Sequence, residues 1–490
     1  MRCLVTGATG YIGGRLAPRL LEAGHTVRCL SRRAGRLRDV PWAPQVEIVE
    51  GDLNRPGTLP SAFEGVDVAY FLVHSLGQRR FEDLDRVAAE NFAAAARAAG
   101  VRRIVYLGGP EPPAGGTQSA HLRSRTEVAR ILLDSGVPTA VLRAAVIIGS
   151  GSASFEMLRY LTERLPVMVT PRWVRNRIQP IAVRDVLRYL IAAAGLPPEV
   201  NRGFDIGGTD VLTYTEMMQR YARVAGLRRR IVLPVRPLSP WLSAHWVGAI
   251  TPVPNAIARP LVASLIHEAI THEHDIARYV PHDVLGFDEA VGRALGRIRD
   301  ATVETRWSTA VGRDIAAEPL PSDPHWSGGS VYYDERCREM NAPVEALWRV
   351  IEGVGGENGW YSFPLAWSVR GWLDRLVGGV GLRRGRRDRD HLLVGEALDW
   401  WRVEEILPGE LLRLRAEMKV PGRAWLEMRA ERVDDTHSVY RQRAIFVPRG
   451  LAGHAYWASV VPFHGVIFTG MARNIARGAE QARRQKAPAA

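Results

Sequence analysis

The chain has 490 residues, a length that implies about two to four domains, and its 46% hydrophobic and 24% charged residues are those of a globular protein with sizeable cores. Its net charge of +13 comes from arginines spread along the chain rather than gathered in a recognition motif, so no nucleic acid partner is expected. Three distant cysteines (Cys3, Cys29, Cys337), no charged-then-apolar leader and no run of roughly 20 apolar residues lead us to expect a cytoplasmic protein with neither a disulfide framework nor a cysteine zinc site.

An apolar strand, Arg2-Cys3-Leu4-Val5-Thr6, opens the chain and runs into Gly7-Ala8-Thr9-Gly10-Tyr11-Ile12-Gly13, followed by a helical pattern through Leu16, Leu20 and Leu21. Gly7 permits the tight turn, Gly10 a close approach to a pyrophosphate, and Gly13 close helix packing. The helix N-terminus offers free N–H groups and a positive dipole end to phosphate. Short apolar runs at 26–30, 46–49, 66–73, 103–107 and 139–143 alternate with helical patterns, clearest at 85–99 and 123–134. That alternation predicts an α/β, doubly wound parallel Rossmann sheet with its ligand at the carboxyl ends of the strands.

The second strand ends in Ser31-Arg32-Arg33, where an NAD-specific site would carry an acidic residue. Arginine's planar fork suits a 2′-phosphate, so NADP is favoured over NAD, with Arg15 as an assisting residue. Gly51-Asp52-Leu53 follows the third strand and stands where the adenine end would lie; the alternative is a turn capped by aspartate.

These motifs, with Gln179-Pro180-Ile181-Ala182-Val183-Arg184-Asp185-Val186, resemble the extended and atypical short-chain dehydrogenase/reductase superfamily, most closely its NmrA-like or divergent-epimerase NAD(P)H-binding branch. The resemblance covers roughly residues 1 to 300. It implies a catalytic Ser or Thr at the end of the fifth strand and a Tyr-x-x-x-Lys on the next helix. Here the strand ends Gly108-Gly109-Pro110, and His121 and Arg125 occupy the four-residue spacing. Either His121 replaces the tyrosine as proton donor, with Arg125 as a fixed cation near the ribose, or hydride chemistry has been lost and Arg125 only steadies a nucleotide. A third alternative puts His121 at a solvated helix start. Ser119 and Ser124 offer hydroxyls with no activating partner visible in sequence, and Asp185 reads as structural.

Residues 237–266 are rich in tryptophan, proline and aliphatics (Trp241, Trp246, Val247, Ile250, Leu261, Leu265). They read as a packing element in preference to an apolar pocket cover or a peripheral membrane contact. His267, Glu268, His272, Glu273, His274 and Asp275 are dense in metal-ligand types. Their spacings do not share a helix face, so polar caps and ion pairs are expected and no metal.

The domains expected are 1–225 (dinucleotide-binding), 226–300 (a substrate-side extension), 301–329 (a proline-bearing linker) and 330–490. Ten of the 14 tryptophans lie after residue 300. A strand at 331–340 leads to a helix from Pro343 to about Val350, then strands at 399–405, 411–418, 424–433 and 437–446. A long helix at 456–482 follows, its apolar face built from Val460, Val461, His464, Ile467, Phe468, Met471 and Ile475. This order resembles an α+β helix-grip, START-like domain. The similarity is carried by Trp372-Leu373-Asp374, the run from Gly378 to Arg387, Leu398–Val403 and Ala416–Gly422. Trp348, Trp360, Trp401 and Trp425 either line a ligand cup or fill a core, and Arg383, Arg384, Arg386, Arg387 and Arg389 either hold an anionic head group or form a solvated loop.

The function expected is an NADP(H)-binding oxidoreductase-like protein acting on an apolar small molecule that the C-terminal domain binds or presents. The alternatives are a non-catalytic NADP(H) sensor and an epimerase or isomerase. The oligomeric state is left open.

Overall fold

A computed structural model describes the chain except residues 38–39, 76–77, 79, 112–118, 236–249, 252, 266, 302–329, 357–358, 362–390 and 487–490. The linker, Trp241, Trp246 and Val247, the motif from Trp372 to Arg387 and the arginine run to Arg389 lie outside the described residues. The chain divides into two compact units, Met1–Gly329 and Ser330–Ala490.

The first unit is built on β1 (Arg2–Thr6), α1 (Gly13–Glu22), β2 (Thr26–Ser31), β3 (Glu47–Glu50), β4 (Val68–Phe71), α2 (Phe81–Ala98), β5 (Arg103–Gly108), α3 (Ala120–Leu133), β6 (Thr139–Ala144), α4 (Val183–Ala193), β7 (Arg202–Ile206) and α5 (Asn255–Ser264). The seven strands form one parallel sheet in the order β7-β6-β5-β4-β1-β2-β3, so β1 lies between β2 and β4. The central strands of such a sheet are buried on both faces, which is why β1, β4 and β5 read as apolar runs, while edge strand β3 (Glu47–Glu50) has no fully buried residue. Val68, Tyr70 and Val105 pack with Leu16 and Leu20 of α1 and Leu187 and Leu190 of α4. The alternate residues Ala69, Phe71, Ile104 and Tyr106 pack with Ala89 and Phe92 of α2 and Leu132 of α3. β4 is shorter than its apolar run because Leu72 turns its N–H to the Thr6 hydroxyl (3.3 Å) and leaves the ladder at the carboxyl edge. A separate core formed by Phe155, Leu158, Met217, Tyr221, Val262 and Val291 organises the segments after β6.

The second unit comprises β8 (Tyr332–Met340), α6 (Val344–Glu352), β9 (Ala397–Leu398), β10 (Trp401–Leu407), β11 (Leu411–Ala416), β12 (Gly422–Arg432), β13 (Ser438–Pro448) and α7 (Gly450–Lys486). Its sheet is antiparallel, in the order β8-β13-β12-β11-β10-β9.

Several expectations are corrected here. Pro343 stands at the N-cap of α6, with extended ψ, rather than inside its first turn. The strand expected at 399–405 begins only at Trp401, because Asp399 and Trp400 form the turn between β9 and β10: Asp399 takes a left-handed backbone (φ 55°) and its carboxylate accepts from Trp360 Nε1–H (2.8 Å) and Gly356 N–H (3.1 Å). Trp348, Trp360 and Trp401 join the core under α7, filling space as aromatic core residues do. Trp425 faces the other side of the sheet, with its indole N–H on Glu404 (2.8 Å), because Leu426 takes the inward position in β12. The helix starts at Gly450, and its buried seam runs through Phe468, Met471 and Ile475. Val461, expected on that face, stands beside the seam and is 44% exposed.

Candidate active site

The glycine loop has the geometry of a phosphate cradle. Gly7 has φ +75°, and a Cβ there would lie 2.7 Å from the Leu72 carbonyl oxygen. A Cβ on Gly13 would lie 2.3 Å from the Gly7 carbonyl oxygen, so the helix starts hard against the loop itself. No side chain caps α1; the Gly14 and Arg15 N–H groups donate to the Gly10 (2.9 Å) and Ile12 (3.1 Å) carbonyls, and the positive end of the helix faces the loop. Gly7, Gly10, Tyr11, Ile12 and Gly13 all line one cavity of about 370 Å³. Thr9 is half-buried in the same loop and lies outside that lining.

Two residues expected at the dinucleotide turn inward. Arg15 is buried and donates to the Tyr11 carbonyl (3.1 Å) and the Ser150 carbonyl (3.3 Å), with its guanidinium 4.1 Å from the Tyr11 ring centroid. It ties the loop to the segment after β6, so it is not available to a 2′-phosphate. The Leu53 side chain packs in the core with Phe63 and Phe92, leaving only its backbone to face a ligand. Asp52 accepts the Asn54 N–H (3.0 Å) on one oxygen, an Asx turn that orients the carboxylate. Arg32 and Arg33 are exposed at the end of β2, and neither guanidinium has an ion-pair partner among the described residues.

The cavity continues past the loop to Gly108, Gly109 and Pro110 at the end of β5, and to His121 and Arg125 on α3. The Ser119 hydroxyl caps α3 by accepting the Leu122 N–H (3.3 Å). It and His121 Nδ1 both lie 3.0 Å from the Ser264 hydroxyl at the end of α5, so α5 closes this side of the cavity. His121 is therefore not at a solvated helix start. Burial, then the Arg125 cation and His74, push its pKa down to about 2. That corrects the expectation of an unperturbed histidine acid: at neutral pH His121 is an uncharged imidazole. Arg125 donates to the Leu107 carbonyl (3.2 Å) and lies 3.4 Å from the Tyr106 hydroxyl, which holds its charge at the cavity wall.

Sequence reasoning missed His74 and Asp85. His74 follows β4 at the carboxyl edge, and its Nδ1 lies 2.5 Å from Asp85 Oδ2 on α2. Asp85 is buried and also accepts the Ser75 N–H (2.8 Å) and the Ser124 hydroxyl (3.1 Å). Ser124 thus has the partner that its sequence context hid. Burial would raise the Asp85 pKa, but the hydrogen bond and charge of His74 and the Ser75 N–H bring it below the usual carboxylate range. Burial, then Arg125, push His74 down to about 4 against the pull of Asp85. The two imidazoles stand 5.2 Å apart, centroid to centroid, in one cavity wall. A histidine after a strand end and an aspartate on the following helix were the available signals; nothing in their spacing paired them.

The histidine-rich segment after α5 is an ion-pair and capping region. Glu268 pairs with Arg177 (2.9 Å), Asp275 with Arg202 (2.9 Å), and Glu273 accepts the Asp205 and Asp275 N–H groups. Asp185 is buried and accepts the Leu285 N–H (2.9 Å). Among the described residues no helix is long and apolar enough to cross a membrane.

Residues 7–145 match a family model described as NAD(P)H-binding, and residues 326–471 match one described as "Protein of unknown function (DUF2867)". The chain is 32% identical over 229 residues to the (4-alkanoyl-5-oxo-2,5-dihydrofuran-3-yl)methyl phosphate reductase of Streptomyces griseus, covering 46% of this chain and 73% of that protein. It is 30% identical over 238 residues to the ceramide reductase of Caulobacter vibrioides, covering 46% and 72%. In fold it is similar to the triphenylmethane reductase of Citrobacter sp. (TM-score 0.50, 24% identity, 60% of this chain and 100% of that one).

Proposed function

Since the chain belongs, through its first unit, to the NAD(P)H-binding branch of the NmrA-like and short-chain dehydrogenase/epimerase superfamily, we propose that it is an NADP(H)-dependent oxidoreductase acting on an apolar small molecule. The observation that carries this reading is the single cavity in which the glycine cradle adjoins His74, His121 and Arg125 under an apolar wall that includes Val146, Met157 and Leu261. Bound NADP(H) supplies or removes hydride.

The chain's own groups divide the remaining work. The loop from Gly7 to Gly13 and the positive N-terminal end of α1 hold pyrophosphate. Arg32 and Arg33 hold a 2′-phosphate as two exposed cations, and Asp52 meets the adenine. Arg125 stands where the superfamily's lysine would be, as a permanent charge that orients a ribose and exchanges no proton. His121, uncharged and hydrogen-bonded to Ser264, orients a polar group of the ligand without protonating it. The apolar wall selects the body of the substrate and excludes water. The second unit's antiparallel sheet and long helix support a START-like reading, in which it binds or presents that molecule.

Titrating the full chain with NADPH and NADH tests the cofactor. NADPH is expected to bind at least about tenfold more tightly, the scale of one or two charge-assisted hydrogen bonds. Binding of neither overturns the reading. The missing serine, tyrosine and lysine favour a second reading, an NADP(H) sensor; tight binding without turnover across apolar alcohols and ketones would support it.

A further inference from the structure

His74 carries a feature that dinucleotide binding does not use. Its Nδ1 faces the Asp85 carboxylate at 2.5 Å, and a carboxylate can only accept, so the ring proton sits on Nδ1. The ring's other nitrogen, Nε2, is buried and has no hydrogen-bond partner among the described residues. A buried, unpaired acceptor is costly, and a binding or catalytic role is one explanation for such an exception. His74 lines the same cavity as the glycine loop.

We propose that Nε2 of His74, positioned by Asp85, accepts the hydroxyl hydrogen of the cavity's ligand, so that the protein takes an apolar alcohol in preference to the matching carbonyl compound at neutral pH. This rests on the oxidoreductase reading and adds the ligand's functional group. A ketone oxygen is itself an acceptor and would face the Nε2 lone pair unfavourably until the ring takes up a proton. In the forward acid–base step the O–H bond of the alcohol breaks and its electron pair stays on oxygen. The Nε2 lone pair binds the proton, and the imidazolium is held against Asp85. Among the described residues, the charged and titratable groups facing His74 are Asp85 from α2 and His121 and Arg125 from α3. Asp85 favours the imidazolium, while Arg125 favours the neutral ring. Asp85 is thus a positioning residue, and the Ser75 N–H and Ser124 hydroxyl that hold it complete the relay.

The test is ¹⁵N NMR of the full chain labelled at its 13 histidines, with His74 assigned by difference from His74→Gln or, should that variant not fold, from the resonance that Asp85→Asn moves most. At pH 7 the free protein should show His74 protonated at Nδ1 and bare at Nε2, and Asp85→Asn should move part of the population to the other tautomer. In the NADP⁺ complex, 2-octanol should shift the Nε2 resonance without proton uptake. 2-Octanone should do so only with proton uptake, its affinity rising as pH falls. His74→Leu should weaken 2-octanol about tenfold. A proton on Nε2 at pH 7, or no response of His74 to either compound, overturns the proposal. Failure of NADP⁺ to bind would instead overturn the cofactor reading, since the tautomer is read on the free protein.

Discussion

At the scale of single residues, the site depends on a few side chains whose neighbours decide their chemistry. Arg32 and Arg33 are exposed cations without ion-pair partners among the described residues, so their contribution should appear only toward a phosphate. The double variant Arg32→Ala/Arg33→Ala is expected to weaken NADPH by about ten- to a hundredfold and leave NADH nearly unchanged, as read by calorimetric or fluorescence titration. Gly13 is a steric requirement: a Cβ 2.3 Å from the Gly7 carbonyl oxygen must displace backbone. Gly13→Ala should therefore abolish dinucleotide binding and lower the melting temperature, whereas a Cβ at Gly35 meets nothing within 4 Å, and Gly35→Ala should leave both unchanged. The glycines, His121 and Arg125, which the fold brings to one cavity, and the exposed Arg32 and Arg33 could be picked out as candidates because each belongs to a local motif. The roles of Arg15 and Leu53 were not legible, because burial reverses what their position in the motif suggests.

At the scale of elements, the strands were readable because a parallel sheet covered on both faces needs apolar side chains at every position, a signal confined to four to six residues. Helix α2 shows how strongly those faces are coupled. Phe92 is fully buried, its ring edge-on to Phe71 at 5.0 Å and Phe63 at 5.2 Å between centroids. Phe92→Ala should cost about 3–5 kcal/mol in chemical denaturation, since it removes an aromatic ring from a packed site that cannot collapse around the gap. The same helix carries Asp85 toward β4, so the variant should also perturb the His74 resonance. The misread boundaries have a common cause. Thr6 draws Leu72 out of the ladder, and the left-handed backbone of Asp399 makes a turn from residues whose composition reads as strand. Each is a side-chain to backbone bond made with a partner distant in sequence or in an unexpected conformation.

At the scale of the whole molecule, the buried histidines make stability depend on pH. His74 and His121 have folded pKa values pushed from 6.5 down to about 4 and about 2, so below 6.5 the unfolded chain binds protons that the native one does not. Their contribution is fully present above pH 6.5 and is lost as pH falls, through about 4 for His74 and on toward about 2 for His121. The urea midpoint should fall across that window, and less so in His74→Gln/His121→Gln. NADPH at a hundred times its Kd should add about 2.7 kcal/mol to the unfolding free energy of the unit that binds it, as read by thermal shift. The sequence by itself determined a doubly wound sheet, a dinucleotide loop and the replacement of the expected Tyr and Lys, because glycine spacing and apolar runs are imposed locally by backbone sterics and burial. Only the tertiary structure decided that His74 meets Asp85, that His121 is held uncharged, that Arg15 turns inward and that the C-terminal tryptophans split between two sheet faces. Those outcomes depend on which groups the crossovers of the parallel sheet and the pairing of the antiparallel one bring together and remove from water, and no local spacing encodes that.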